Sequence, residues 1–76
     1  MIPLPPFRLI TAPSDARVTS VVGAGALVAV GDVVAVLDAP RGSYPVLAPV
    51  RGRVGGSLTG AQQHVSTGDG IVWIER

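Results

Sequence analysis

Ala12-Pro13-Ser14-Asp15-Ala16-Arg17-Val18 recurs as Ala48-Pro49-Val50-Arg51-Gly52-Arg53-Val54, 36 residues further on. Gly31-Asp32-Val33-Val34-Ala35-Val36-Leu37-Asp38 recurs as Gly68-Asp69-Gly70-Ile71-Val72-Trp73-Ile74-Glu75, at an offset of 37. Each half therefore reads Ala-Pro, an Arg-Val strand, a loop, Gly-Asp, and an apolar strand closed by a carboxylate. Stacked repeat proteins need about three copies to be stable. Two copies in 76 residues point instead to a single domain built as a pseudo-twofold sandwich.

Short apolar runs bounded by turn residues predict strands at Phe7–Thr11, Ala16–Val22, Ala26–Val28, Val33–Asp38, Tyr44–Leu47, Arg53–Leu58, His64–Val65 and Ile71–Glu75. Pro13 and Pro49 fall just before strands, where the missing N–H costs nothing. Gly31-Asp32 and Gly68-Asp69 are turn dipeptides, and Ala39-Pro40-Arg41-Gly42 suits a type I turn with Pro second and Gly fourth. No amphipathic helical stripe of useful length is present. Val28–Val36 has a helix-like period, but Gly31-Asp32 interrupts it and its content is β-branched.

Composition narrows the function classes. The chain is 47% hydrophobic with ten Gly and seven Pro, as expected of a compact all-β domain with tight turns. Its net charge of +1 contains no basic run, and Phe7, Tyr44 and Trp73 are its only aromatics, so a nucleic-acid partner is not expected. With no cysteine there is no disulfide, thiolate or Cys-based zinc chemistry. No apolar run approaches the roughly 18 residues of a membrane span. Pro3, Pro5 and Pro6 interrupt the segment where a signal peptide needs an apolar helix, so the expectation is a cytoplasmic protein without a membrane partner.

From about Leu9 to Arg76 the chain resembles the biotinyl/lipoyl attachment domains, whose fold is a flattened β-barrel called the barrel-sandwich hybrid. In that family a first strand ends in Ala-Pro-x-x-Gly-x-Val, matched by Ala12 to Val18. A Gly-Asp-x-Val-x-x-Gly-Asp turn follows, matched by Gly25-Ala26-Leu27-Val28-Ala29-Val30-Gly31-Asp32. The biotin loop Glu-Ala-Met-Lys-Met and the Ala-Pro-x-x-Gly beyond it align without a gap to Asp38-Ala39-Pro40-Arg41-Gly42 and Ala48-Pro49-Val50-Arg51-Gly52. The resemblance thus implies an all-β barrel-sandwich hybrid of two pseudo-twofold halves over residues 9–76, preceded by a Pro-rich arm over residues 1–8. Ala16 stands where the pattern has glycine and Ala26 where it has aspartate. Arg41 stands at the modified lysine, with Pro40 and Gly42 in place of the flanking methionines, and the chain contains no lysine.

Biotin and lipoate are joined to a lysine amine that can shed its proton and attack. A guanidinium stays protonated, so no cofactor is expected at Arg41. What the resemblance implies is a non-enzymatic relative of carrier domains, a protein-binding or assembly module. Its hosts by resemblance are acyl-CoA carboxylase-type or 2-oxo-acid dehydrogenase-type complexes. Pro40, Arg41, Gly42 and Tyr44 are the candidate partner-binding residues; Arg41 can grip a carboxylate, and Tyr44 either anchors the contact or covers the core edge. The alternatives are a biotin carboxyl carrier whose lysine is replaced at Arg41, and a homo-oligomeric structural module.

The remaining residues favour structural roles. His64 is the only histidine and has no partner at ligand or relay spacing, so neither a metal site nor catalysis is expected. Asp32, Asp38, Asp69 and Glu75 recur at turns and strand ends, which suits turn stabilisation. Ser14, Ser20, Ser43, Ser57 and Ser66 lack a nucleophile-elbow setting, and the glycine-rich Gly23–Gly25 and Gly52–Gly56 have no following helix to cradle phosphate. Trp73 is expected in the core. The arm Ile2–Phe7 either packs along its own barrel or docks on a partner or a second copy.

Overall fold

The structure is a computed structural model and describes residues 6–76. Among them eight strands follow one another with no helix: β1 (Phe7–Thr11), β2 (Ala16–Val21), β3 (Leu27–Val28), β4 (Val33–Ala39), β5 (Gly42–Leu47), β6 (Gly52–Ser57), β7 (His64–Val65) and β8 (Gly70–Glu75). Each expected strand is present; β1 and β7 have the expected bounds and the others differ at one or both ends by one or two residues. The ladder of β4 and β5 runs up to the turn itself, pairing Ala39 with Gly42. Phe7 and Arg8, the last two residues of the expected arm, lie in β1; residues 1–5 of that arm lie outside the described residues.

The strands form two antiparallel four-stranded sheets, β1-β8-β6-β3 and β5-β4-β2-β7. Exchanging β1 to β4 for β5 to β8 turns one order into the other, which is the sequence repeat expressed as symmetry. Each sheet therefore takes two strands from each half. Even the irregularities repeat, with a bulge in β2 between Val18 and Ser20 and one in β6 between Val54 and Gly56.

Backbone bonds lock the halves reciprocally. The Ala12 N–H donates to the Asp69 carbonyl and the Gly68 N–H to the Ala12 carbonyl, both at 2.8 Å. In the symmetry-related place, the Ala48 N–H donates to the Asp32 carbonyl (2.8 Å) and the Gly31 N–H to the Ala48 carbonyl (2.9 Å). The aspartate side chains hold these turns in shape: Asp32 accepts the Ala29 N–H at 2.8 Å, and Asp69 accepts the Ser66 N–H at 2.9 Å. The turn role expected of both aspartates is what they perform.

Between the sheets lies an aliphatic core in which Val18, Val34, Leu37, Val54, Val65, Ile71, Val72 and Ile74 are all but sealed from solvent. Each such side chain contributes roughly 1.5–3 kcal/mol by leaving water. Trp73 is not among them, contrary to expectation. Val72 and Ile74 on either side of it are fully buried, so the period of two along β8 sends the indole to the outer face. There Trp73 pairs with Leu9 on one side and Gly56 on the other, and its ring lies across Gly55 and Gly56 of β6. The expectation failed because a large aromatic in an apolar run reads as core, whereas the Gly-Gly opposite reveals a flat seat.

Two predictions follow from local geometry. Gln62 is the one non-glycine residue with positive φ among the described residues (71°), and its repeat counterpart is Gly25 at φ 89°. Its N–H donates to the Val18 carbonyl just as that of Gly25 donates to Val54. The left-handed conformation costs a residue with Cβ about 1–2 kcal/mol, and glycine's extra unfolded-state entropy returns roughly half of that. Gln62→Gly should thus raise stability by about 0.5–1 kcal/mol, read from the midpoint of urea unfolding. At Gly56, a Cβ would sit 2.5 Å from Trp73 Cη2. Gly56→Ala should lift the indole off its seat, red-shift its fluorescence and lower stability by about 1–3 kcal/mol.

Candidate functional site

Pro40 and Arg41 form the two-residue tip between β4 and β5. The ring of Pro40 fixes its φ near −65°, and Arg41 has no positive φ, which leaves the type I turn expected from the sequence. A type I turn alone twists against the right-handed twist of a hairpin. Gly42 takes up the mismatch at φ 125°, a conformation that a side chain would resist. Pro and Gly on either side of Arg41 are thus the parts of a rigid tip.

The tip stands at the far end of the strands from Pro6 and Arg76. Phe7 pairs with Glu75, and the Arg76 N–H donates to the Pro6 carbonyl at 3.1 Å, so Pro6 and Arg76 lie side by side. From there β1 runs away to the Ala12–Asp15 turn, and β2 starts beside the hairpin with Arg17 opposite Asp38. Arg41 is exposed, and it borders a shallow recess with Pro40, Tyr44, Ser14 and Asp15.

Tyr44 is half-buried and packs against the core, while its hydroxyl shares a 2.8 Å hydrogen bond with Ser14 Oγ at the recess. Its ring covers the core edge and only its polar end reaches the site. Below the tip, Asp38 meets Arg17 at 3.6 Å and accepts a 3.4 Å hydrogen bond from the Ser43 hydroxyl. Ser14 and Asp15 were not among the sequence candidates for this site. Their turn carries the chain from β1 in one sheet to β2 in the other, and nothing local in Ala-Pro-x-x marks that it ends beside the hairpin. His64 sits exposed on β7 opposite Arg17, away from the tip turn.

Asp15 accepts both the Thr67 N–H (2.8 Å) and the Thr67 hydroxyl (3.1 Å), linking the turns of the two halves. The backbone bond foremost, then the hydroxyl bond and to a smaller degree the charge of His64, hold its carboxyl below the ordinary 3.8. A depressed carboxylate stabilises the fold above its unfolded pKa, and that contribution disappears as pH falls through the folded value. Stability should therefore decline in acid, starting near pH 4 and continuing below it. Asp15→Asn should lower stability at neutral pH and flatten that acid decline, as measured by chemical unfolding across the pH range.

No protein-family model and no curated protein sequence matches the chain. Among solved structures, its whole length superposes on part of a single-chain, multi-domain long-chain acyl-CoA carboxylase, with a TM-score of 0.88 and 27% identity, covering 8% of that chain. It also superposes over 97% of its length on the Kluyveromyces lactis urea carboxylase, with a TM-score of 0.84 and 24% identity, covering 7% of that enzyme. The chain thus spans less than a tenth of either protein. Together with the paired sheets and their pseudo-twofold, this makes the fold an all-β barrel-sandwich hybrid of the biotinyl/lipoyl-like type, as the sequence led us to expect.

Proposed function

We propose that this chain is a carrier-type domain that carries no cargo and acts, without catalysis, as a protein-binding module through its hairpin tip. The observation that carries this reading is Arg41 at the second turn residue, held by Pro40 and Gly42, in a chain without lysine. An amine at that place could be acylated, whereas a guanidinium cannot, and its planar fork suits a carboxylate on a partner. The tip points away from Pro6 and Arg76, so a tether at that end leaves it available. The likeness to part of an acyl-CoA carboxylase supports a carboxylase-type assembly as the host.

The test is affinity purification of the tagged chain from its own cells, with Arg41→Ala in parallel. A partner held by the wild type should be lost or weakened at least about tenfold by Arg41→Ala, since hot-spot arginines at interfaces cost about 2 kcal/mol or more when truncated. The variant should unfold at the same temperature. An unchanged set of partners removes the tip from the function. The resemblance also keeps a second reading in play, a biotin carrier whose lysine has been replaced. Arg41→Lys, coexpressed with a biotin ligase and weighed intact, should stay unmodified on the docking reading; added biotin would favour the carrier.

A further inference from the structure

A sheet that does not close has edges, and an unpaired edge offers hydrogen bonds to another strand. Three of the four edges here are blunted. β3 and β7 are two residues long, and β5 carries Pro45, which has no N–H to give. The fourth, β1, is five residues without proline and pairs only with β8 among the described residues. The Pro6 carbonyl and the Ala12 N–H both bond toward the β8 side. By the alternation of a strand, Arg8 and Ile10 also face β8, and the N–H and C=O groups of Phe7, Leu9 and Thr11 point outward.

The side chains agree with the backbone. Phe7 and Leu9 lie on the outer face of the first sheet, 58% and 44% exposed, and Leu9 is paired with Trp73. At the repeat-related places, the second sheet has Ser43, Pro45 and Val36. Phe7 and Leu9 thus answer to a serine and a proline on the second sheet, whereas Thr11 answers to the exposed Leu47. Phe7 and Leu9 lie along the one edge that has no such protection among the described residues.

We infer that two copies of this chain pair antiparallel through β1, about a twofold axis at Leu9. Phe7 then faces Thr11 of the second copy, Arg8 faces Ile10, and Leu9 faces Leu9. No like charges meet, and Phe7 with Thr11 is a favourable aromatic and β-branched pair. Up to about six backbone hydrogen bonds form, two for each outward-facing pair. The two first sheets become one of eight strands, with Trp73 and Leu9 of each copy in one apolar strip across the seam. The strand is complementary to itself in bonds, charge and apolar surface, which commits the edge to a second copy. This inference does not depend on the tip.

Sedimentation of the purified chain at increasing concentration should show a monomer–dimer equilibrium. Leu9→Lys puts two like charges opposite each other at the axis while its side chain stays at the surface, and should weaken the dimer at least about tenfold. Leu27→Lys, on the far edge of the same sheet and 77% exposed, should leave it unchanged. Hydrogen exchange of the wild type gives a second readout: the Phe7, Leu9 and Thr11 amides should slow with concentration while those of β3 do not. A wild type that stays monomeric, a dimer insensitive to Leu9→Lys, or one broken by Leu27→Lys alone would overturn the inference.

Discussion

The structure depends on one reciprocal constraint, the backbone clamp between each Ala-Pro turn and the Gly-Asp turn of the opposite half. Ala12 is bonded to Gly68 and Asp69, and Ala48 to Gly31 and Asp32. Neither half can satisfy its own turns alone, because the partner groups of each belong to the other. Both sheets draw strands from both halves, so the aliphatic core forms only when the clamps close. The sequence repeat is a consequence of this arrangement: the same short motif is needed twice because each copy completes the other.

The clamp also explains what was legible in the sequence. Ala-Pro and Gly-Asp are local turn signals, and their recurrence set the strand positions to within a residue or two. The hairpin tip was equally readable, since Pro40 and Gly42 each demand a particular backbone. What the sequence concealed were relations between strands distant along the chain. Trp73 reads as core until Gly55 and Gly56 are placed beside it. Tyr44 left two roles open until its ring was seen on the core and its hydroxyl on Ser14. Asp15 and Ser14 reach the tip through the turn that carries the chain from the first sheet into the second.

The two halves have diverged in surface while keeping their backbone. Arg17 and Asp38 on one sheet correspond to Arg53 and Glu75 on the other, and both pairs keep the same register. Ser43 and Pro45 correspond to Phe7 and Leu9. A fixed frame with freely varied faces lets one small domain present a polar end, an apolar sheet and a charged tip at once.

The adjacency of Pro6 and Arg76 gives the hairpin tip a further meaning. Under the pseudo-twofold, the pairing of Arg76 with Pro6 corresponds to that of Ala39 with Gly42 at the base of the Pro40-Arg41 turn. The tip is thus the covalent seam by which one repeat is spliced to the next, while Pro6 and Arg76 meet at the equivalent place through a hydrogen bond. None of the four Ala-Pro/Gly-Asp clamp bonds passes through it. A chain cut at the tip and rejoined at its ends would run through the same strands in a different order, with the roles of the halves exchanged.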